Sequence, residues 1–204
     1  MQEQNKPQQK IMNIPNVLSI VRMILVPVFM ASILYMAGRA SLGVWGYIVP
    51  AFIFALTSFT DMLDGKIARK YGLITDFGKF IDPLADKFMV FGALISLLAG
   101  AVYAEIRGVL VWVAAIVMLR ELGVTSLRLV VASRGVVVPA SWWGKIKTVT
   151  QIFAVIALIV EPAIPVVCDS HVASYTALAL MAITTVGSGI SYLRALWPYV
   201  AGKK

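Results

Sequence analysis

The sequence predicts an all-α integral membrane protein of six transmembrane helices with both termini in the cytosol, and three observations predict it. The composition is 60% hydrophobic and only 14% charged over 204 residues, with a mean hydropathy of +0.86, a profile foreign to soluble domains. Apolar runs recur at about 17–36, 47–60, 87–104, 108–133, 149–167 and 172–193; with flanking turns, each approaches the ~20 residues a helix needs to cross roughly 30 Å of hydrocarbon. Threading those six runs through a bilayer leaves only Arg39 and Arg107, of eighteen basic residues, away from the side of the termini. The bias of Lys and Arg toward the cytosol then places both ends inside a cell membrane.

Residues 1–12 are polar and contain Pro7, which suits a cytosolic or interfacial segment. The first apolar run follows this long polar lead and is long enough to span, so it reads as a span and not a cleaved signal. Asn13-Ile14-Pro15-Asn16 offers capping and helix-start chemistry just before it. Asn16, Ser19 and Arg22 then recur every third residue at its cytosolic end. The second helix enters from outside and delivers Asp61 to Arg69 to the cytosolic side, with a break expected at Tyr71-Gly72. The third begins there with Gly78, Asp82 and Asp86. The fourth carries Arg120, Glu121, Thr125, Ser126 and Arg128; the two arginines are eight apart and share a face. An arginine at the centre of a span costs about 2.5–3.5 kcal/mol, so a ligand or an ion pair with Glu121 or the aspartates is required. Trp142-Trp143 reads as an interfacial belt opening the fifth helix. Lys145 and Lys147 follow, roughly 200° apart around that helix, so one faces inward and the other can snorkel. Gly187, Ser188, Gly189 and Ser191 in the sixth span suit close helix packing and a subunit contact. No repeat or linker divides the chain, so residues 13–200 read as one domain and 201–204 as a basic tail.

The functional signal is concentrated in one stretch. Its spacing is Asp61-x-x-Asp64-Gly65-x-x-Ala68-Arg69, eight further residues, then Gly78-x-x-x-Asp82-x-x-x-Asp86. On helices, 61, 64, 65 and 68 share one face, and 78, 82 and 86 share another. Four carboxylates aimed into one space repel each other and are costly to desolvate unless protonated, hydrated or bridged by cations. Oxygen-only donors with no His or Cys nearby select Mg²⁺ or Mn²⁺. Gly65, Ala68 and Gly78 remove bulk where a phosphorylated ligand could approach, and Arg69 adds a planar donor fork.

This pattern resembles the signature of the CDP-alcohol phosphotransferase family, and every fixed position of that signature is filled. The resemblance implies a CDP-linked donor, displacement at phosphorus by an alcohol, and release of CMP. It implies Asp61, Asp64 and Asp82 as metal ligands, and Asp86 as a ligand that also serves as general base. Asn16, Ser19 (where Thr is the expected residue), Gly65, Ala68, Arg69 and Gly78 would lie against the nucleotide of the CDP-lipid.

The acceptor is a separate question. Arg120, Arg128, Lys145 and Lys147 supply more positive charge than a neutral or zwitterionic alcohol requires, which favours an acceptor already bearing phosphate. Asn13-Ile-Pro-Asn16, Arg120-Glu121, Ser126-Leu-Arg128 and Gly144-Lys-Ile-Lys-Thr148 resemble bacterial family members that join CDP-diacylglycerol to sn-glycerol 3-phosphate, and the resemblance covers about residues 12–196. Such members are commonly homodimers. Another acceptor, such as inositol phosphate, serine or a cardiolipin-type lipid, would keep the aspartates and change the basic residues. A divalent-cation transporter would explain the carboxylates, yet has no need of Gly65, Ala68 and Arg69.

The net charge of +8 needs no nucleic-acid partner, since cations at a membrane face meet anionic headgroups or a phosphorylated substrate. Cys168 is the one cysteine, which excludes an intramolecular disulfide and a thiolate metal cluster. His171, in an expected outer loop, reads as incidental.

Overall fold

The computed structural model describes residues 13–71, 75–133, 141–164 and 170–201, with side chains outside the description for Ile14, residues 64–71, Asp76, Lys79 and Val200. The described residues form six long helices and no strand: α1 (Ile14–Met36), α2 (Trp45–Tyr71), α3 (Asp76–Ala99), α4 (Arg107–Ala132), α5 (Trp142–Val160) and α6 (Val172–Val200). Short 3₁₀ turns at Ala40–Leu42, Ala101–Tyr103 and Glu161–Ala163 join them. The expected apolar runs and the expected helix starts are therefore present, including the start of α5 at Trp142. The polar segment 1–12, Gly72 of the expected break, Cys168 and residues 202–204 of the basic tail lie outside the described residues.

Local chemistry explains where the odd-numbered helices begin. Asn13 accepts a hydrogen bond from Asn16 N at 3.0 Å, Thr75 from Gly78 N at 3.0 Å, and Ser141 from Gly144 N at 3.1 Å. Each cap satisfies one of the amides that a helix start leaves without an intrahelical partner. Since successive helices run up and down, α1, α3 and α5 start at the end of the bundle where α2, α4 and α6 finish.

Five of the helices, α1, α2, α4, α5 and α6, are long and apolar enough to cross a membrane. The sixth, α3, has 24 residues, but Asp76, Lys79, Asp82, Asp86 and Lys87 occupy its first half; residues 88–99 alone would rise only about 18 Å. The outer surface is apolar: Phe52, Trp112, Leu119, Phe153 and Ile183 are 65–75% exposed. Contiguous apolar surface of this kind marks contact with lipid or partner protein. Hydroxyls within the helices bond back to the preceding turn, as Thr57 Oγ1 does to Ile53 O at 2.7 Å and Ser96 Oγ to Gly92 O at 2.7 Å, so these polar groups enter the bundle satisfied.

The helices pack as two groups of three. α1 lies on α2 and α3, α6 lies on α4 and α5, and contacts of α2 with α5 and of α3 with α4 join the groups. Phe29 and Phe54 pack in a tilted pair, 5.2 Å between ring centroids and 45° between planes, in the first group. A Cβ at Gly92 would stand 2.8 Å from Val26 Cγ1, so glycine there allows the close approach of α1 and α3. At the end remote from the caps, Glu161 is 3% exposed and accepts hydrogen bonds from Ala173 N and Ser174 N, both at 3.0 Å, and from Ser174 Oγ. A carboxylate from the preceding turn thus does for α6 what a capping residue normally does, and its charge complements the helix N-terminus. His171, beside it, lies 2.8 Å from Glu105 Oε2, an electrostatic tie between α6 and the turn before α4.

Replacing Glu161 by alanine strands these donors, at roughly 1–3 kcal/mol for a buried group left unsatisfied. Glu161→Ala is therefore expected to lower Tm in detergent, measured by thermal unfolding, while turnover at low temperature stays near that of the unaltered protein.

Candidate active site

The capped end of the bundle opens into a cavity of about 880 Å³. Asp61 of α2 and Asp82, Asp86 and Lys87 of α3 line one wall; Arg120, Glu121, Thr125 and Arg128 of α4, Lys145 and Lys147 of α5, and Tyr192 of α6 line the rest. One three-helix group thus supplies most of the carboxylates, with Lys87 among them, and the other most of the cations, with Glu121 among them. Seven of the residues singled out from sequence meet here: Asp61, Asp82, Asp86, Arg120, Arg128, Lys145 and Lys147. α2 is helical through Tyr71, which places positions 61, 64, 65 and 68 on one face. The side chains of Asp64 and Arg69, and the surroundings of Gly65 and Ala68, lie outside the described residues.

The start of α1 braces the acidic wall from behind. Asn16 and Ser19 are 1% and 0% exposed. Asn16 Nδ2 donates to Thr75 Oγ1 at 2.8 Å, the atom that also caps α3. Ser19 Oγ donates to Asp82 Oδ1 at 2.5 Å, and Arg22, fully buried, pairs with Asp61. The spacing of three along α1 is thereby explained: one face of α1 reaches one residue after another of α2, the α3 cap and α3. The room beside Gly78 is taken by protein, because a Cβ there would stand 2.7 Å from Asn16 Oδ1. Arg22 also supplies Asp61 with a counter-charge that the sequence reading, which left the four carboxylates without one, did not provide.

No three His, Cys, Asp or Glu side chains among the described residues converge as a ready-made metal site, and Asp61 and Asp82 are engaged by Arg22 and Ser19. The donor chemistry nonetheless fits a hard divalent ion: Asp61, Asp82 and Asp86 reach the same cavity and offer only oxygen. Charges acting on Asp86 come from Asp61, Lys147, Glu121 and Lys87, so Asp86 stands between the acidic and basic walls.

The basic wall is held by an ion-pair network. Lys147, 5% exposed, pairs with Glu121. Arg120 Nη1 donates to the same carboxylate at 3.2 and 3.3 Å, and its Nη2 donates to Ser188 Oγ. The Arg120 guanidinium lies 5.5 Å from the centre of the Tyr192 ring, and its stem runs against α6 at Gly189, where a Cβ would stand 3.4 Å from Arg120 Cγ. Tyr192 Oη accepts from Ser141 N at 3.1 Å. The two lysines divide as their angular separation requires: Lys147 is the deep one, and Lys145 is exposed with Nζ 5.0 Å from the Trp142 ring centre. Gly187 packs against Trp143, a Cβ there lying 3.4 Å from the indole ring, which accounts for one of the small residues of α6.

Sequence reasoning missed Thr75 and Tyr192 and gave Arg22 no partner; it offered Glu121 as an ion-pair partner for the arginines of α4, as Arg120 shows, but did not foresee its pairing with Lys147. Thr75 carried a signal, a threonine three residues before Gly78 at a helix start. Nothing local to Tyr192 distinguishes it from the other aromatic residues of the apolar runs.

A bundle of apolar, membrane-length helices whose end cavity sets a mainly acidic wall opposite a mainly basic one is of the multi-pass membrane class, with charges suited to a phosphorylated ligand. The chain belongs to the CDP-alcohol phosphatidyltransferase family, whose sequence profile matches residues 12–188. It is 39% identical over 188 residues to a probable phosphatidylglycerophosphate synthase of Mycobacterium tuberculosis, covering 92% of this chain and 83% of the relative. It is 39% identical over 191 residues to a CDP-diacylglycerol--glycerol-3-phosphate 3-phosphatidyltransferase of Bacillus subtilis, covering 91% and 95%. A protein of that same name from Pseudomonas fluorescens is 34% identical over 194 residues, covering 93% and 92%.

The Asn16–Gly78 contact makes a stability prediction. Gly78→Ala forces Asn16 aside, and overpacking of this kind costs about 1–3 kcal/mol. Asn16→Ala in the same chain should recover part of the lost Tm, so a double-mutant cycle on thermal unfolding is expected to show strong coupling; simple additivity would mean that the contact is unimportant.

Proposed function

We propose that the protein transfers the phosphatidyl group of CDP-diacylglycerol to sn-glycerol 3-phosphate, giving phosphatidylglycerophosphate and CMP in phospholipid biosynthesis. The observation that carries this reading is the single cavity in which Asp61, Asp82 and Asp86 stand opposite Arg120, Arg128, Lys145 and Lys147. The names of the similar proteins agree with it, and four cations suit an acceptor that already bears phosphate.

Asp61, Asp64, Asp82 and Asp86 would hold Mg²⁺ or Mn²⁺, which when bound supplies neutralisation of the donor pyrophosphate and polarisation at phosphorus. Gly65, Ala68 and Arg69 form the nucleotide side of the site; Gly78, Asn16 and Ser19 serve it indirectly, by bracing the start of α3 and Asp82. Arg120, Arg128, Lys145 and Lys147 bind the acceptor phosphate and orient its free hydroxyl toward the acidic wall. Asp86 takes the proton of that hydroxyl as general base. The freed oxygen bonds to the phosphorus of the phosphatidyl group, the bond from that phosphorus to the CMP oxygen breaks, and CMP leaves with the electron pair.

In this reading residues 13–200 act as one domain in the cell membrane, α3 is the sixth span, and both termini and the cavity face the cytosol. A homodimer is the working assembly. A tag at the N-terminus should then be cut by added protease only in permeabilised cells.

Detergent-purified protein given CDP-diacylglycerol and a panel of acceptors should release CMP with glycerol 3-phosphate; equal turnover with glycerol or serine would sink the assignment. Chelation, or Asp61→Asn, Asp64→Asn or Asp82→Asn, should abolish CMP release without unfolding the protein. Asp86→Asn should lose most of kcat yet retain CDP-diacylglycerol binding, whereas a parallel fall in binding would make it chiefly a ligand. Arg120→Ala and Lys147→Ala should raise KM for glycerol 3-phosphate far more than KM for CDP-diacylglycerol.

A further inference from the structure

The four cations of the basic wall repel one another, and two of them, Arg120 and Lys147, are almost wholly shielded from water, with side chains 11% and 6% exposed. A buried cation without a counter-charge is costly, and its side chain tends to swing toward solvent. Glu121, on the same turn of α4 as Arg120 and 7% exposed, is the carboxylate that prevents this. It receives Lys147 across the α4–α5 boundary and Arg120 Nη1 at 3.2 Å. With Ser188 on Nη2 and the Tyr192 ring 5.5 Å from the guanidinium, it holds Arg120 at both of its terminal nitrogens. Both lining cations are thus ordered before any ligand arrives, and ordering of this kind is a cost that binding otherwise bears.

We infer that Glu121 is the positioning residue of the acceptor pocket: it fixes Lys147 and Arg120 in the arrangement that receives the acceptor phosphate. Glu121 needs no contact with substrate to do this; it acts through the two cations. The inference rests on the acceptor assignment made above. It adds that the pocket's affinity depends on an acidic residue, which the positive charge of the wall alone would not suggest.

The test measures both KM values of the full chain in detergent for wild type, Glu121→Asp and Glu121→Gln, with Tm for each. KM for glycerol 3-phosphate is expected to rise in that order, by about tenfold or more for Glu121→Gln, with KM for CDP-diacylglycerol within roughly twofold. Because Glu121 works through Lys147 as well as Arg120, Glu121→Gln combined with Lys147→Ala should raise that KM by clearly less than the product of the two single effects, and a full product would overturn the inference. A merely structural role would lower Tm and the active fraction without separating the two KM values, and that result overturns the inference, as does an unchanged KM for glycerol 3-phosphate. Should Glu121→Gln not fold, Glu121→Asp decides alone, since its shorter side chain cannot serve both cations; a wild-type KM in that variant overturns the inference too. If the wild-type protein itself does not use glycerol 3-phosphate, the acceptor assignment has failed, and the control shows this before any variant is compared.

Discussion

Charge inside an apolar bundle has to be neutralised within the bundle, and the architecture at the capped end follows from that constraint. Arg22 is fully buried on α1 and pairs with Asp61 of α2; Lys147 of α5 pairs with Glu121 of α4. Arg22 and Lys147 are the deeply shielded members of these pairs, and each depends on its carboxylate for a counter-charge within the bundle. The pairs therefore act as registers, fixing how far one helix end may slide against the next. The site inherits its geometry from them.

The two registers belong to different halves of the molecule. α1 braces α2 and α3, and every described brace between them ends on a residue of the motif or its cap: Asp61, Thr75 and Asp82. α6 braces α4 and α5 through Ser188 and Tyr192. An acidic half and a basic half then meet across about 880 Å³, with Asp86 placed where charges from both are felt. Opposed walls of this kind suit a reaction in which one phosphorylated molecule is displaced from another, because each wall can hold one partner while the reacting groups meet between them.

Small residues set how closely the helices approach. Gly92 admits α1 against α3, Gly78 leaves room for Asn16, and Gly189 accommodates the stem of Arg120. The remote end is closed differently, by the buried carboxylate of Glu161 over the first turn of α6. One end is thus tied by a structural carboxylate and the other kept open as a charged cavity.

The sequence by itself determined the helices, their order and the charged residues that line the candidate cavity. Apolar runs, caps such as Asn13, and the spacing from Asp61 to Asp86 are local properties, readable because a helix imposes its period on neighbouring residues. The signature also identified the family, and the excess of Arg and Lys pointed to a phosphate-bearing acceptor. Partnerships across helices were decided only by the tertiary structure. That Arg22 meets Asp61, that Asn16 fills the space beside Gly78, that Lys147 lies deep while Lys145 stays exposed, and that Glu121 joins Arg120 to Lys147 depend on the rotation and depth of helices distant in the chain. No local period encodes those quantities; the packing of all six helices sets them together.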